Sequence, residues 1–117
     1  MRVAVVVGTR PEAIKLAPVV HVLREQRGAD PVVFSTGQHL EMAQEALSMF
    51  GVVPDRQLRI GQPANGPTGL LAAGVAELGA EIGVGELDRV LVQVDTTSAL
   101  AGALAGMDHN VPVAHLE

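Results

Sequence analysis

The stretch 8–15, with the sequence GTRPEAIK, carries two basic side chains where a predicted strand passes into a predicted helix. It follows the apolar run 3–7, so it lies at the carboxyl end of that strand. Backbone N–H groups at a helix N-terminus lack intrahelical partners and carry partial positive charge, which favours an anion. Arg10 and Lys15 add two full positive charges near the same turn. The spacing therefore predicts an anion site, with phosphate among the candidates.

The same stretch also has the features of an ordinary helix start. Thr9 and Glu12 have the spacing of a capping box. Pro11 lies early in the helix, where its missing N–H costs nothing. A capped surface helix with two basic residues is therefore the alternative interpretation, and these patterns do not name the anion.

Carboxylates end two further predicted strands. Asp95 and Glu117 each follow an apolar run, and two carboxylates brought together in a cleft suit acid–base catalysis. Asp95 can instead cap the helix that follows it, because Asp-Thr-Thr-Ser is good N-cap chemistry. Glu117 can instead be a frayed terminal residue.

Two histidines, His39 and His115, lie near these strand ends and are candidates to bind phosphate or to move protons. A structural hydrogen-bonding role is the alternative for both. The histidines show no ligand spacing such as H-x-x-x-H, so the sequence predicts no metal site. Asp108 and His109 are interpreted as a surface turn.

Apolar periodicity predicts an alternation of strands and helices that positions these residues. The predicted strands span 2–7, 30–35, 89–94 and 111–115, and the predicted helices span 11–26, 39–50, 68–86 and 96–107. Met42 and Met49 lie on one face of the second helix and are expected in the core. The segment 52–67 is rich in Pro and Gly, and in it Leu58 and Ile60 form a candidate short edge strand. The third helix contains several glycines, so its stability must come from packing.

Strands that alternate with helices predict an α/β fold, with a parallel sheet, right-handed crossovers and helices on both faces. Such sheets bind ligands at the carboxyl ends of the strands, where the strand order reverses. If the candidate edge strand at Leu58 and Ile60 is counted as the third strand, the expected order is 3-2-1-4-5. The first strand, 2–7, and the fourth, 89–94, are then neighbours at that point. The segments 8–10, 36–39 and 115–117 then share one rim with Asp95, which predicts a functional site there.

The composition fits one compact domain with an aliphatic core. Of 117 residues, 48% are hydrophobic, yet there are only two Phe and neither Trp nor Tyr. The net charge of −5 disfavours nucleic-acid binding, which needs a basic face. No Cys is present for disulfides or thiolate chemistry. No apolar run reaches the length of a membrane span and no secretory signal is evident, so we expect a cytoplasmic protein without a membrane partner.

Four motifs, in this order, resemble those of the non-hydrolysing UDP-N-acetylglucosamine 2-epimerases: GTRPEAIKLAPVV from Gly8, TGQH at 36–39, DTT at 95–97 and HLE at 115–117. The residues after Arg10 fit this class rather than its hydrolysing relatives, which carry an aromatic, Ala-Asp-Tyr-like sequence. The resemblance covers essentially the whole chain. It implies a Rossmann-like first domain of a GT-B-type two-domain enzyme, with the active site between the domains. Because family members are much longer, it also implies that 1–117 is an incomplete N-terminal domain and that a second nucleotide-binding domain is absent.

The resemblance further implies a reaction, the interconversion of UDP-GlcNAc and UDP-ManNAc by elimination and re-addition of UDP, without a cofactor. Asp95 and Glu117 would be the acid–base carboxylates. Gln38 resembles a residue that in some bacterial members touches a second, activating molecule of UDP-GlcNAc. Family members are typically homodimers. The substrate-binding residues implied by the resemblance are Arg10, Lys15, Gln38, His39 and His115.

The chain departs from the family pattern beside Asp95. The family usually reads H-G-D-T-T-T, whereas this chain has Gln93 and Val94 before the aspartate. Val94 adds bulk there, and Gln93 removes a histidine. Three functions stay open: an epimerase first domain that needs the rest of the enzyme, an inactive remnant, and a non-catalytic nucleotide-sugar-binding module or partner subunit. We expect the isolated chain not to exchange the C2 proton of UDP-GlcNAc, and its last strand to present an unpaired edge that promotes self-association.

Overall fold

A computed structural model describes residues 1–61 and 66–117. Strands and helices alternate along the chain, which confirms the predicted α/β class. The strands are β1 (Arg2–Val7), β2 (Asp30–Ser35), β3 (Arg56–Gln57), β4 (Arg89–Gln93) and β5 (Val113–Leu116), and the helices are α1 (Arg10–Glu25), α2 (Leu40–Met49), α3 (Gly66–Val84) and α4 (Thr97–Asp108). No helix within these described residues has the length and apolar character needed to cross a membrane.

The five strands form one parallel sheet in the order β3-β2-β1-β4-β5, which confirms the predicted order. β1 pairs with β2 from Arg2↔Asp30 to Val7↔Ser35, and with β4 along its other edge. The strand order therefore reverses between β1 and β4, where sheets of this type bind ligands.

β1 lies at the centre of the sheet because its Val- and Ala-rich sequence suits burial on both faces. Val3, Val5 and Val7 pack with residues of α1 and α2 on one face. Ala4 and Val6 pack with residues of α3 and α4 on the other. The core is aliphatic apart from Phe34, as the composition predicts.

The glycine-rich helix α3 depends on close packing against α4. A Cβ added at Gly74 would lie 2.8 Å from Cβ of Ala101, so only a glycine allows this approach without a shift. Close packing against α4 therefore stabilises α3, whose glycines lower its intrinsic helix propensity, as the sequence predicts.

Two predictions about the second helix and the edge strand are wrong. The edge strand is Arg56–Gln57 rather than the Leu58–Ile60 region, because pairing with the end of β2 fixes its position. Met42 and Met49 are 53% and 71% exposed, so they are not core residues. The core face of α2 consists of Ala43, Ala46 and Leu47.

The other predicted elements are found, with ends displaced by at most two residues. The predicted turn at 108–109 is half right, because Asp108 is the last residue of α4 and His109 lies in the exposed turn that follows. The Pro- and Gly-rich segment 52–67 includes residues 62–65, which lie outside the described residues.

Candidate functional site

The loops that follow β1, β2, β4 and β5 meet at the carboxyl ends of the strands. The backbone N–H of Thr36 donates to the carbonyl oxygen of Val7 at 2.9 Å, and that of His39 donates to the carbonyl oxygen of Gly8 at 2.9 Å. The N–H of Val94 donates to the carbonyl oxygen of Leu116 at 3.0 Å. The predicted convergence of the four motifs on one rim is therefore confirmed.

The turn after β1 is filled by a carboxylate of the chain itself. Glu12 is 0% exposed, and its Oε2 accepts hydrogen bonds from the backbone N–H groups of Gly8 at 2.9 Å and Thr9 at 2.6 Å. The Thr9 hydroxyl donates to the same oxygen at 2.9 Å. The expectation of unpaired N–H groups at this turn is therefore wrong for Gly8 and Thr9, because the predicted capping box is present and Glu12 is the acceptor for both.

Glu12 also connects this turn to the loop after β4. Its Oε1 accepts a hydrogen bond of 2.5 Å from the Thr96 hydroxyl, and Thr96 Oγ1 in turn accepts from the N–H of Ala99 at 3.0 Å. Thr96 is thus the N-cap of α4. The alternative interpretation of Asp95 as that cap is wrong, and the Asp95 side chain is left free of this structural task.

A second polar network joins the loop after β2 to the start of α4. Thr36 Oγ1 lies 2.8 Å from Ser98 Oγ, and the Ser98 hydroxyl lies 2.7 Å from Oε1 of Gln38, which also accepts from the Ser98 N–H at 3.2 Å. Oε1 of Gln38, expected at a ligand, therefore holds two loops together. Sequence reasoning missed Ser98, although its place in Asp-Thr-Thr-Ser at a helix start is a usable signal.

Asp95, His115 and Glu117 come together. All three are exposed and, with Val94, line a cleft of about 280 Å³ at the ends of β4 and β5. The structure thus places both predicted acid–base carboxylates in one cavity with a histidine. Their roles stay predictions, and the shared cleft is consistent with them.

Val94 has an unusual backbone for a β-branched residue. Its φ is +61°, in the left-handed region that is costly for residues with a Cβ and most unusual for valine. Its carbonyl oxygen lies 2.7 Å from Nε2 of His115. This contact supports the alternative interpretation of His115 as a hydrogen-bonding group. The positive φ of Val94 changes the chain direction at the end of β4, immediately before Asp95.

The remaining candidates lie apart from that cleft. Arg10 is the exposed first residue of α1, and Lys15 is exposed on the next turns of the same helix. His39 is exposed at the start of α2, where it and Gln38 line a separate cleft of about 390 Å³ with Gly61. Within the described residues, the candidates thus form three groups rather than a single cluster: two separate clefts, and the two basic residues of α1, which line neither cleft.

Two buried polar side chains lie beneath this rim. Within the described part of the chain, Ser35 Oγ and both polar atoms of the Gln93 amide are buried without a hydrogen-bond partner. A buried amide that lacks a partner is destabilising, which predicts an unfavourable residue at Gln93, next to Val94 and Asp95.

Comparison with known proteins decides the family. Residues 21–117 match the family model described as UDP-N-acetylglucosamine 2-epimerase. The chain belongs to this family. It is 42% identical over 117 residues to UDP-N-acetylglucosamine 2-epimerase of Escherichia coli K12, and it spans 31% of that relative's length.

Solved structures of family members share the fold. The UDP-GlcNAc 2-epimerase of Neisseria meningitidis bound to UDP-GlcNAc is 37% identical, with a TM-score of 0.95, and the match covers 100% of this chain and 32% of that one. The Methanocaldococcus jannaschii UDP-GlcNAc 2-epimerase in complex with UDP-GlcNAc and UDP is 30% identical, with a TM-score of 0.87, and the match covers 100% and 32%. The chain therefore has the fold of about one third of a family member and corresponds to the N-terminal part.

Proposed function

We propose that this chain supplies the first-domain half of the active site of a UDP-GlcNAc 2-epimerase. The observation that carries the proposal is the shared cleft of Asp95, His115 and Glu117 at the ends of β4 and β5. The strand-end position is where parallel sheets bind ligands, and the solved relatives are complexes with UDP-GlcNAc.

The reaction needs two proton-transferring groups. In the forward direction a carboxylate takes the proton from C2 of the sugar, the C1–O bond breaks, and its electron pair leaves with UDP while a C1–C2 double bond forms. In the return step UDP adds back to C1 and a proton is delivered to C2 from the other face. Asp95 and Glu117 are the candidates for these transfers, because both residues line one cleft.

The basic residues have a separate task in this proposal. Arg10 and Lys15 are exposed on the first turns of α1, above the turn that Glu12 already fills. Because Glu12 already pairs with the Gly8 and Thr9 N–H groups, the side chains of Arg10 and Lys15, and not these N–H groups, are proposed to contact UDP or the sugar. Gln38 and His39 line the neighbouring cleft and are proposed to contact a nucleotide sugar there.

Catalysis in this proposal requires a second nucleotide-binding domain, because one rim of one sheet is open to water and cannot enclose the unsaturated intermediate. We further propose a homodimer in the cytoplasm. An inactive remnant is the second candidate function. It is favoured by Gln93, which stands where the family usually has a histidine and whose buried amide has no partner among the described residues.

A chimaera tests the proposal. Residues 1–117 replace the matching part of the Escherichia coli relative, and exchange of the C2 proton of UDP-GlcNAc is followed by proton NMR in deuterated water. We expect the chimaera to exchange this proton and Asp95→Asn to abolish exchange. The matched control is Asp108→Asn, at the exposed end of α4, which should leave exchange unchanged.

The outcomes separate the two candidates. A folded chimaera without exchange supports the inactive remnant, and exchange that survives Asp95→Asn removes Asp95 from the mechanism. The unfused 117-residue chain is expected to show no exchange, and exchange by it would contradict the requirement for a second domain.

A further inference from the structure

The contact between Val94 and His115 assigns a tautomer to a histidine of the cleft. Nε2 of His115 lies 2.7 Å from the Val94 carbonyl oxygen. A carbonyl oxygen only accepts hydrogen bonds, so Nε2 must carry the proton. In a neutral imidazole the other ring nitrogen is then an unprotonated acceptor.

We infer that Val94 is a positioning residue, which fixes His115 as the Nε2–H tautomer and leaves its Nδ1 as a hydrogen-bond acceptor for a sugar hydroxyl or amide N–H. This inference rests on the proposed function, because it takes the cleft to be the sugar site. His115 lines that cleft with the carboxylates of Asp95 and Glu117. Carboxylates accept hydrogen bonds as well, so the cleft presents acceptors to a donor-rich ligand.

The backbone of Val94 makes this arrangement possible. Its N–H still pairs with the carbonyl oxygen of Leu116 at 3.0 Å, as in a regular parallel ladder. At φ +61° the chain then leaves the strand, and the carbonyl oxygen is bonded by the His115 ring. Val94 therefore forms hydrogen bonds to β5 through both its N–H and its C=O, and these two bonds hold the residue in its strained conformation.

The tautomer is measured directly by long-range proton–nitrogen correlation NMR on the 117-residue chain, at a pH well above the usual imidazole pKa of about 6.5. We expect the His115 pattern of an Nε2–H tautomer. The urea-unfolded chain gives the reference ratio. An Nδ1–H pattern, or a ratio equal to that of the unfolded chain, would overturn the inference.

Two variants of Val94 test its positioning role by the same signature. Val94→Gly can keep a positive φ, so the Nε2–H pattern should remain. Val94→Pro cannot adopt a positive φ, so the pattern should be lost in a chain whose other resonances show it folded. Retention of the pattern in folded Val94→Pro, or its loss in Val94→Gly, contradicts the role. If Val94→Pro does not fold, the Val94→Gly result decides.

Two variants of His115 test the hydrogen-bonding roles of its two ring nitrogens separately. In His115→Gln the amide N–H reaches the place of Nε2, so the urea midpoint should stay close to that of the parent while the Nδ1 acceptor is lost. We expect the affinity of the chimaera for UDP-GlcNAc to fall about tenfold, the loss of one hydrogen bond. His115→Asn places its amide near Nδ1 and gives up the contact with Val94, so it should lower the urea midpoint and retain more affinity than His115→Gln.

Unchanged affinity in His115→Gln would overturn the acceptor role of Nδ1. If the parent chimaera binds no nucleotide sugar, the proposed function fails, whereas the tautomer assignment still stands or falls by its own NMR pattern.

Discussion

Thr96 Oγ1 donates a 2.5 Å hydrogen bond to Oε1 of Glu12, across a separation of 84 residues in the sequence. The same carboxylate accepts the N–H groups of Gly8 and Thr9 through its other oxygen. One buried side chain therefore holds the turn after β1 against the residue that follows Asp95. The contact thus links the basic start of α1 to the loop that carries Asp95.

Replacing Glu12 tests that connection. Glu12→Ala leaves the Gly8 and Thr9 N–H groups without their acceptor, and we expect it to lower the free energy of unfolding by about 3 kcal/mol. Glu12→Gln keeps one acceptor oxygen and should cost less. Urea unfolding followed by circular dichroism measures both. The exposed Glu25 at the end of α1 supplies the control Glu25→Gln, for which a change below about 0.5 kcal/mol is expected. Equal effects at both positions would refute the buried role of Glu12.

Gly8 has no room for a side chain. A Cβ there would lie 2.0 Å from Ser98 Oγ and 2.8 Å from Thr36 Oγ1. Gly8→Ala should therefore lower the free energy of unfolding by about 1–3 kcal/mol through overpacking. Ser98→Gly removes the side chain that collides, so in the double variant the added cost of Gly8→Ala should be smaller than in the parent. Strictly additive costs in a double-mutant cycle would show that Ser98 is not the obstacle.

The strands could be predicted from the sequence more closely than the details of the rim. β1 and β2 begin and end as predicted, because their apolar β-branched runs are bounded by polar or glycine residues. The sequence pattern does not locate the two-residue edge strand β3 correctly, since its position depends on pairing with β2 and not on its own sequence. Met42 and Met49 have helical spacing, but Ala43 and Leu47 occupy the core face.

The candidate site likewise combines features that the sequence predicts with features that it does not. The strand ends brought Asp95 and Glu117 to one cleft, as the strand order required. The capping box predicts that Glu12 accepts the Thr9 N–H, but the spacing does not show that the same carboxylate also accepts the Gly8 N–H and the Thr96 hydroxyl. Valine itself does not predict the left-handed backbone at Val94, because it is among the residues least expected there; the glycine usual in the family pattern at this position is the signal for it.

The unpaired amide of Gln93 predicts a stabilising substitution. The side chain is 0% exposed and has no partner among the described residues, so it carries a desolvation cost without a compensating hydrogen bond. Gln93→Met has a similar shape without the amide and should raise the free energy of unfolding by about 1–2 kcal/mol. Gln44→Met, on the exposed face of α2, is the control and should change it by less than about 0.5 kcal/mol. A loss of stability in Gln93→Met would mean that the amide has a partner, such as a buried water.

The backbone of Val94 reverses the usual order of alanine and glycine. At an extended strand position glycine is less stable than alanine by about 0.5–1 kcal/mol, because it loses more conformational freedom on folding. At φ +61° the Cβ of alanine is strained, so Val94→Gly should be more stable than Val94→Ala by about 1 kcal/mol. Both variants remove the isopropyl group, so their difference isolates the backbone. Val92, buried within β4, gives the matched control, where Val92→Ala should be more stable than Val92→Gly. Urea midpoints of the four variants decide, and the same order at both positions would show that Val94 is not left-handed in solution.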